Sequence, residues 1–100
     1  MEKRRPHYDL GSIKAAFTTP ASLRITKTAL TTAEALDLTL EDIVTIIQSI
    51  GREHFYKSMT SLVDHRVWQD VYHAQRGSLV LYVKFTTDSE GYLLISLKEK

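Results

Sequence analysis

Hydrophobic positions recur with two different periods along the chain, and the period changes near His54. Before it, apolar residues return every three or four positions, as they do on one face of a helix. Leu10, Ile13 and Phe17 follow Asp9, whose side chain suits an N-cap; Pro20 ends this first helix by disfavouring helical backbone at the residue before it. Leu23-Arg24-Ile25 reads as a brief extended piece, after which Thr26 caps a second helix carrying Ala29, Leu30, Ala33 and Leu36. Thr39 and Asp42 stand at capping-box spacing, with Asp a shorter substitute for the usual Glu. Leu40, Ile43, Val44, Ile47 and Ile50 then share one face of a third helix, Ile46 widens that face, and Gly51 suits a left-handed stop. The pattern predicts that this helix packs across the back of a sheet.

After His54 alternation takes over, as in strands. Phe55, Lys57 and Met59 alternate with Tyr56, Ser58 and Thr60. A bend over residues 61–65 leads to a second strand, in which Val67, Gln69 and Val71 alternate with Trp68, Asp70 and Tyr72. Gln75-Arg76-Gly77-Ser78 reads as a loop. Leu79, Leu81, Val83 and Phe85 share one face of the next strand, with Val80, Tyr82, Lys84 and Thr86 on the other. Beyond the turn Asp88-Ser89-Glu90-Gly91, Leu93, Ile95 and Leu97 alternate with Tyr92, Leu94, Ser96 and Lys98. Keeping the apolar faces of this hairpin together requires even positions to pair with even ones, since a slip of one residue reverses every side chain. Pairing Thr87 with Gly91 across a three-residue loop meets that condition. It sets Tyr82 opposite Ser96 and makes Lys98 its diagonal neighbour. The expected architecture is an α+β fold over residues 1–100, a single domain with three helices on one face of a mainly antiparallel sheet.

Composition narrows the function classes. One hundred residues, 43% hydrophobic and 25% charged, are ordinary values for one globular domain. No apolar run approaches the roughly 20 residues that span a bilayer. The charged start Met1–His7 is not followed by an apolar signal core, so a cytoplasmic location is expected. The absence of cysteine removes disulfides, thiolate zinc sites and a Cys nucleophile together. A net charge of +1 lacks the excess of a typical nucleic-acid binder, although Lys3, Arg4 and Arg5 would join Lys98 and Lys100 in one basic region if the termini lie close together.

The common phosphate-loop, zinc-hydrolase and esterase motifs are missing, and His7, His54, His65 and His73 are scattered. A metal site would have to draw on Asp64, His65 and Asp70, whereas Asp64 beside His65 reads more simply as a bend with a local hydrogen bond. Chemistry-bearing side chains concentrate between Phe55 and Tyr72 and on one open sheet face. That face carries Lys57, Gln69, Tyr82 and Lys98; Tyr56, Trp68, Tyr72 and Lys84 are candidate RNA contacts around it. A metal-free ribonuclease needs a group to deprotonate or orient the ribose 2′-hydroxyl, cations for the phosphate and a donor for the leaving oxygen. Lysine, glutamine and tyrosine supply such groups, more slowly than a base titrating near neutrality, because Lys and Tyr ordinarily titrate at about 10.

The same residues have plain structural readings: a solvated lysine at Lys57, a surface amide at Gln69, a packing partner at Tyr82 and a tail charge at Lys98. Trp68 and Tyr72 suit a core, although single-stranded RNA binders stack bases on such rings. A non-catalytic RNA-binding or protein-binding module on the same face is the alternative.

Four stretches add a further indication: Met-Glu-Lys-Arg-x-Pro-His from Met1, Phe-Tyr-Lys-Ser-Met-Thr from Phe55, Asp-His-x-x-Trp-Gln-Asp-Val-Tyr from Asp64, and Ser-x-Lys-Glu-Lys from Ser96. Together, in order and at compatible spacing, they closely resemble the MqsR family of bacterial toxins. The resemblance implies a RelE-like fold and a sequence-preferring endoribonuclease that cleaves mRNA without a cofactor and is held inactive by an MqsA antitoxin. It assigns the family's functional lysine, glutamine, tyrosine and closing lysine to Lys57, Gln69, Tyr82 and Lys98. Leu62-Val63 makes the bend more apolar than the family pattern, Leu97 stands where an aromatic is expected, and Arg76-Gly77-Ser78 lies outside the matching stretches.

Overall fold

The three helices precede four of the five strands, as the change of period predicts, in the computed structural model of the chain, which describes residues 1–100. The helices are α1 (Leu10–Ala16), α2 (Lys27–Ala35) and α3 (Leu40–Ser49). The strands are β1 (Glu2–Lys3), β2 (Phe55–Thr60), β3 (Trp68–Arg76), β4 (Leu79–Asp88) and β5 (Gly91–Glu99), hydrogen-bonded in that order with every neighbour antiparallel. The three helices on one five-stranded antiparallel sheet make the fold α+β. β1 has no counterpart in the sequence reading, because two residues carry no period.

Each helix begins where a side chain satisfies its free N–H groups. Asp9 accepts from the Ser12 N–H at 2.9 Å, and Thr26 from Ala29 at 3.2 Å. Thr39 and Asp42 complete the capping box reciprocally, at 3.1 and 2.9 Å. The stop of α3 differs from expectation. Gly51 has φ −114°, so no left-handed residue is used; Ile50 turns the chain to extended backbone, and the Gly51 N–H donates to His54 Nδ1 at 2.8 Å. The residue that does adopt positive φ among the helices is Asp37, at 60° after α2.

The core forms between Ile13, Phe17, Ala33, Ile43, Ile46, Ile47 and Ile50 from the helical layer and Tyr72, Ala74, Leu81, Val83, Phe85, Leu94 and Leu97 from the sheet. Each fully buried isoleucine contributes about 1.5–3 kcal/mol by leaving water.

Register departs from simple alternation at three points. In β2 the pairing steps from Phe55–Tyr72 to Lys57–Val71, so Tyr56 is bulged and Phe55 joins the core side instead of sharing a face with Lys57. Between β3 and β4 the strands run on to Arg76 and resume at Leu79, leaving a two-residue turn with Gly77 at φ 60° instead of a four-residue loop. In the last hairpin Asp88 pairs with Gly91, Phe85 with Leu94 and Lys84 with Ser96, so Ile95 is the extra residue of a bulge. The expected Thr87–Gly91 pairing is therefore corrected: the loop is two residues, Leu94 and Leu97 both enter the core, and Tyr82 lies directly opposite Lys98.

Two long-range attachments complete the sheet. Beyond β5, the Leu94 N–H donates to Arg24 O at 2.9 Å and the Thr26 N–H to Leu94 O at 3.1 Å, while Arg24 forks onto Asp88 at 2.9 and 2.6 Å. That guanidinium holds the Asp88 carboxyl down at about 2. At the other side Asp70, fully buried, accepts from the His7 N–H at 3.0 Å, the Tyr8 N–H at 2.8 Å and Ser58 Oγ at 2.6 Å. β1 and β5 lie on opposite sides of the sheet, so the basic residues of the two termini do not merge into one region.

Candidate active site

Because Tyr72, Val83 and Leu97 point at the helices, their neighbours in each strand point away from them. Cross-strand register then builds two rows on this open face. One holds His73, Tyr82 and Lys98, directly paired across β3, β4 and β5. The next holds Lys57, Val71, Lys84 and Ser96 across β2 to β5. The bulge lets Tyr56 reach the first row, where its ring stacks on His73 at 4.4 Å and 25°. Gln69, paired with Met59, lies one step beyond the lysine row.

Tyr82 is the hub of cationic groups. The Lys98 ammonium lies 5.3 Å and the Lys84 ammonium 5.6 Å from its ring centroid. Lys57 Nζ lies 5.2 Å from the Tyr56 ring and 2.5 Å from Glu2 Oε1. Val71 is fully buried although it belongs to the open face, where Lys57 and Lys84 flank it across the register.

The charges answer to this packing. Burial, aided by the like charges of Lys98 and Lys57, holds the Lys84 ammonium below its ordinary range. Burial raises the Tyr82 phenol, with Lys57 opposing. The hydrogen bond it donates to Glu2 raises Lys57, and Lys57 in turn lowers Glu2. Burial lowers His73, and Lys100 lowers it further. Three ammonium groups, a protonated phenol and an amide on one face suit an anion with an extended partner.

Lys57, Gln69, Tyr82, Lys98, Tyr56 and Lys84 are thus brought to one face. Trp68 and Tyr72 are not, and the reading of fully buried Tyr72 as an RNA contact is corrected. Tyr72 is fully buried, packed edge-on against Phe55 and Phe85 at 5.5 and 6.1 Å, and burial pushes its hydroxyl up to about 12. Trp68 shares its side of the sheet, where His7 stacks on it at 5.2 Å and the Lys3 ammonium sits 4.1 Å from the ring centroid. Both rings alternate with Gln69 and Val71 and so face the helical side.

Asp64 accepts from the Arg66 backbone at 2.9 Å and from its guanidinium at 3.1 Å, while Asp70 is engaged inside. Those two carboxylates and His65 do not come together.

Two residues of the face escaped the sequence reading. His73 continues the alternation of Gln69 and Val71, a signal lost by ending the strand at Tyr72. Glu2 belongs to a two-residue strand and carries no periodic signal. Gln69 also opens on a cleft of about 360 Å³ lined by Met59, Leu62, Val63 and Lys84. Leu62 and Val63 are each 96% exposed in the loop between β2 and β3.

Comparison with known families matches residues 5–99 to the family described as motility quorum-sensing regulator, toxin of MqsA. The chain belongs to this MqsR toxin family. A curated relative, the mRNA interferase toxin MqsR of Escherichia coli strain K12, is 37% identical over 100 residues, covering the whole of both chains. The family match takes in both rows of the face, from Tyr56 to Lys98.

Proposed function

We propose that the chain is the toxin of a toxin–antitoxin pair, a metal-independent endoribonuclease that cuts mRNA on the face carrying Lys57, Gln69, Tyr82 and Lys98. In this reading one RelE-like domain over residues 1–100 works in the cytoplasm, prefers certain sequences, inhibits translation and growth, and is held inactive by an MqsA-type antitoxin. Membership of the MqsR family and the full-length likeness to an mRNA interferase toxin support it. The observation that carries it is the pairing of Tyr82 directly across from Lys98 with Lys84 beside the same ring and Lys57 in the adjoining row.

In the reaction the ribose 2′-oxygen attacks the adjacent phosphorus, the O2′–P bond forms and the P–O5′ bond breaks. Negative charge gathers on the nonbridging oxygens, where Lys57 and Lys98 stabilise it. The raised Tyr82 phenol remains protonated and donates to the departing O5′. The Gln69 amide, able to donate and accept, holds a phosphoryl oxygen or a base edge beside its cleft. Lys84 contacts the backbone and the exposed side of Tyr56 offers a stacking surface.

The test is cleavage of a defined transcript by the purified chain in EDTA, with cut sites mapped by primer extension. The expected products carry a 2′,3′-cyclic phosphate and a 5′-hydroxyl. Loss of cleavage on chelation ends the metal-independent mechanism; salt-sensitive binding without products favours the non-catalytic module instead. A second outcome concerns Glu2, whose carboxylate occupies the ammonium that the phosphate needs. Glu2→Gln is expected to tighten RNA binding a few-fold at low salt, measured by filter binding, and unchanged affinity contradicts that competition.

A further inference from the structure

One imidazole on this face has no part in the steps above. His73 pairs directly with Tyr82 in the β3–β4 ladder, and Tyr82 pairs directly with Lys98, so the three lie in line across the sheet. The His73 ring is 6.0 Å from the Tyr82 ring and tilted by 42° to it, while Tyr56 stacks on it at 4.4 Å. Stacking on Tyr56 fixes the plane of the half-buried imidazole beside the phenol ring.

The surroundings of His73 decide which proton state it holds. From β2 it meets Tyr56, with Lys57 one row away; from β4, Tyr82 and Lys84; from β5 and the residue after it, Lys98 and Lys100. No side-chain carboxylate stands among these groups, and the nearby Glu2 is spent on Lys57. Burial and the Lys100 ammonium both disfavour an imidazolium, which favours the neutral ring at neutral pH. Burial meanwhile keeps the Tyr82 phenol protonated. An acceptor and a donor with oppositely shifted titrations thus lie side by side, the arrangement that general acid and base catalysis requires. The amines and phenols of the face, titrating ordinarily at about 10, are poor proton acceptors at neutral pH.

We propose that His73 is the general base of RNA cleavage, a catalytic residue that takes the proton of the ribose 2′-hydroxyl beside Tyr82. This rests on the ribonuclease reading of the face. The imidazole nitrogen receives the 2′-hydroxyl proton as O2′ bonds to phosphorus; P–O5′ breaks and O5′ takes the phenolic proton of Tyr82. The imidazolium then loses its proton to water and the tyrosinate regains one, so the site returns to its starting state with no net change in protons.

The test is the pH–rate profile of the full chain on an RNA with one scissile site. The variants are His73→Gln, His73→Ala and Lys57→Ala, and binding is measured separately on an analogue with a 2′-deoxyribose at that site. The unmodified chain is expected to lose kcat/KM on the acid side with an apparent pKa below the ordinary histidine value of about 6.5. His73→Gln is expected to lower the rate about 10²–10⁴-fold and erase that acid limb, with binding of the analogue held within a few-fold. Lys57→Ala, slower overall, keeps the limb, and added imidazole restores part of the His73→Ala rate. Retention of the limb in His73→Gln, a rate within a few-fold of the unmodified chain, or a rate loss matched by an equal loss of binding overturns the assignment alone. Failure of the unmodified chain to cut RNA overturns the ribonuclease reading and this assignment with it.

Discussion

Asp70→Ala is expected to destabilise the fold by about 3–5 kcal/mol, read as a lower urea midpoint at unchanged slope. Asp70 is fully buried and collects the His7 N–H, the Tyr8 N–H and Ser58 Oγ on its two oxygens. Alanine removes all three acceptor sites at once. A buried donor left unpaired costs about 1–3 kcal/mol, and solvent reaching the gap recovers part of that. Against a total stability of about 5–15 kcal/mol for a domain of this size, the loss is a large fraction. Asp70→Asn keeps the shape and one oxygen but turns an amide N–H₂ toward donors, so an intermediate loss is expected. A measured change below about 1 kcal/mol for Asp70→Ala would show that the anchor is not what ties the N-terminal segment to the sheet.

Lys57→Ala is expected to lower kcat/KM for RNA about 10²–10³-fold, the usual consequence of removing one group that stabilises transition-state charge. Tyr82→Phe is expected to lower it about 10²–10⁴-fold by removing a proton donor. The second substitution is the sharper probe. Phenylalanine keeps the ring against His73 and near the Lys84 and Lys98 ammonium groups, so stability and packing are preserved while only the hydroxyl is lost. Because both groups serve one transition state, the double variant is expected to fall short of the product of the single effects. Full activity in the double variant, measured by single-turnover cleavage, removes both residues from the mechanism.

The parts legible in the sequence are those where a local signal and the tertiary environment agree. Thr39 and Asp42 announce α3 because the box and the apolar face behind it point to the same start. The alternation through Leu79–Phe85 places Tyr82 and Lys84 on the open face because every second residue there is apolar and buried or half-buried. Leu93-Leu94-Ile95 gives no such guidance: three apolar residues in succession fit either parity, and only core packing selects Leu94 and extrudes Ile95. Tyr56 fails for a related reason, since its bulge depends on how Phe55 fits beside Tyr72. Gln75 and Arg76 look like loop residues by composition, yet a two-residue turn lets the ladder continue to Arg76.

For the candidate site, the shared face of Lys57, Gln69, Tyr82 and Lys98 follows from strand parity. Trp68 and Tyr72 have the opposite parity to Gln69 and Val71, and so stand across the sheet from that face whatever their aromatic character suggests. Glu2 could be found only with the fold in hand, through a contact spanning 55 positions.

The shortness of β1 has a consequence for how copies of the chain behave toward one another. β1 covers β2 only opposite Ser58 and Met59, so the outer backbone of Phe55–Lys57 has no strand beside it. Exposed strand backbone of this kind is a template on which another chain can add, and aggregation starts there. A bulge that twists the strand and a lysine within it are two devices that deter such pairing, and both are present, at Tyr56 and Lys57. The ammonium proposed to hold a phosphate therefore also keeps the sheet from growing, and chemistry and solubility press for the same side chain.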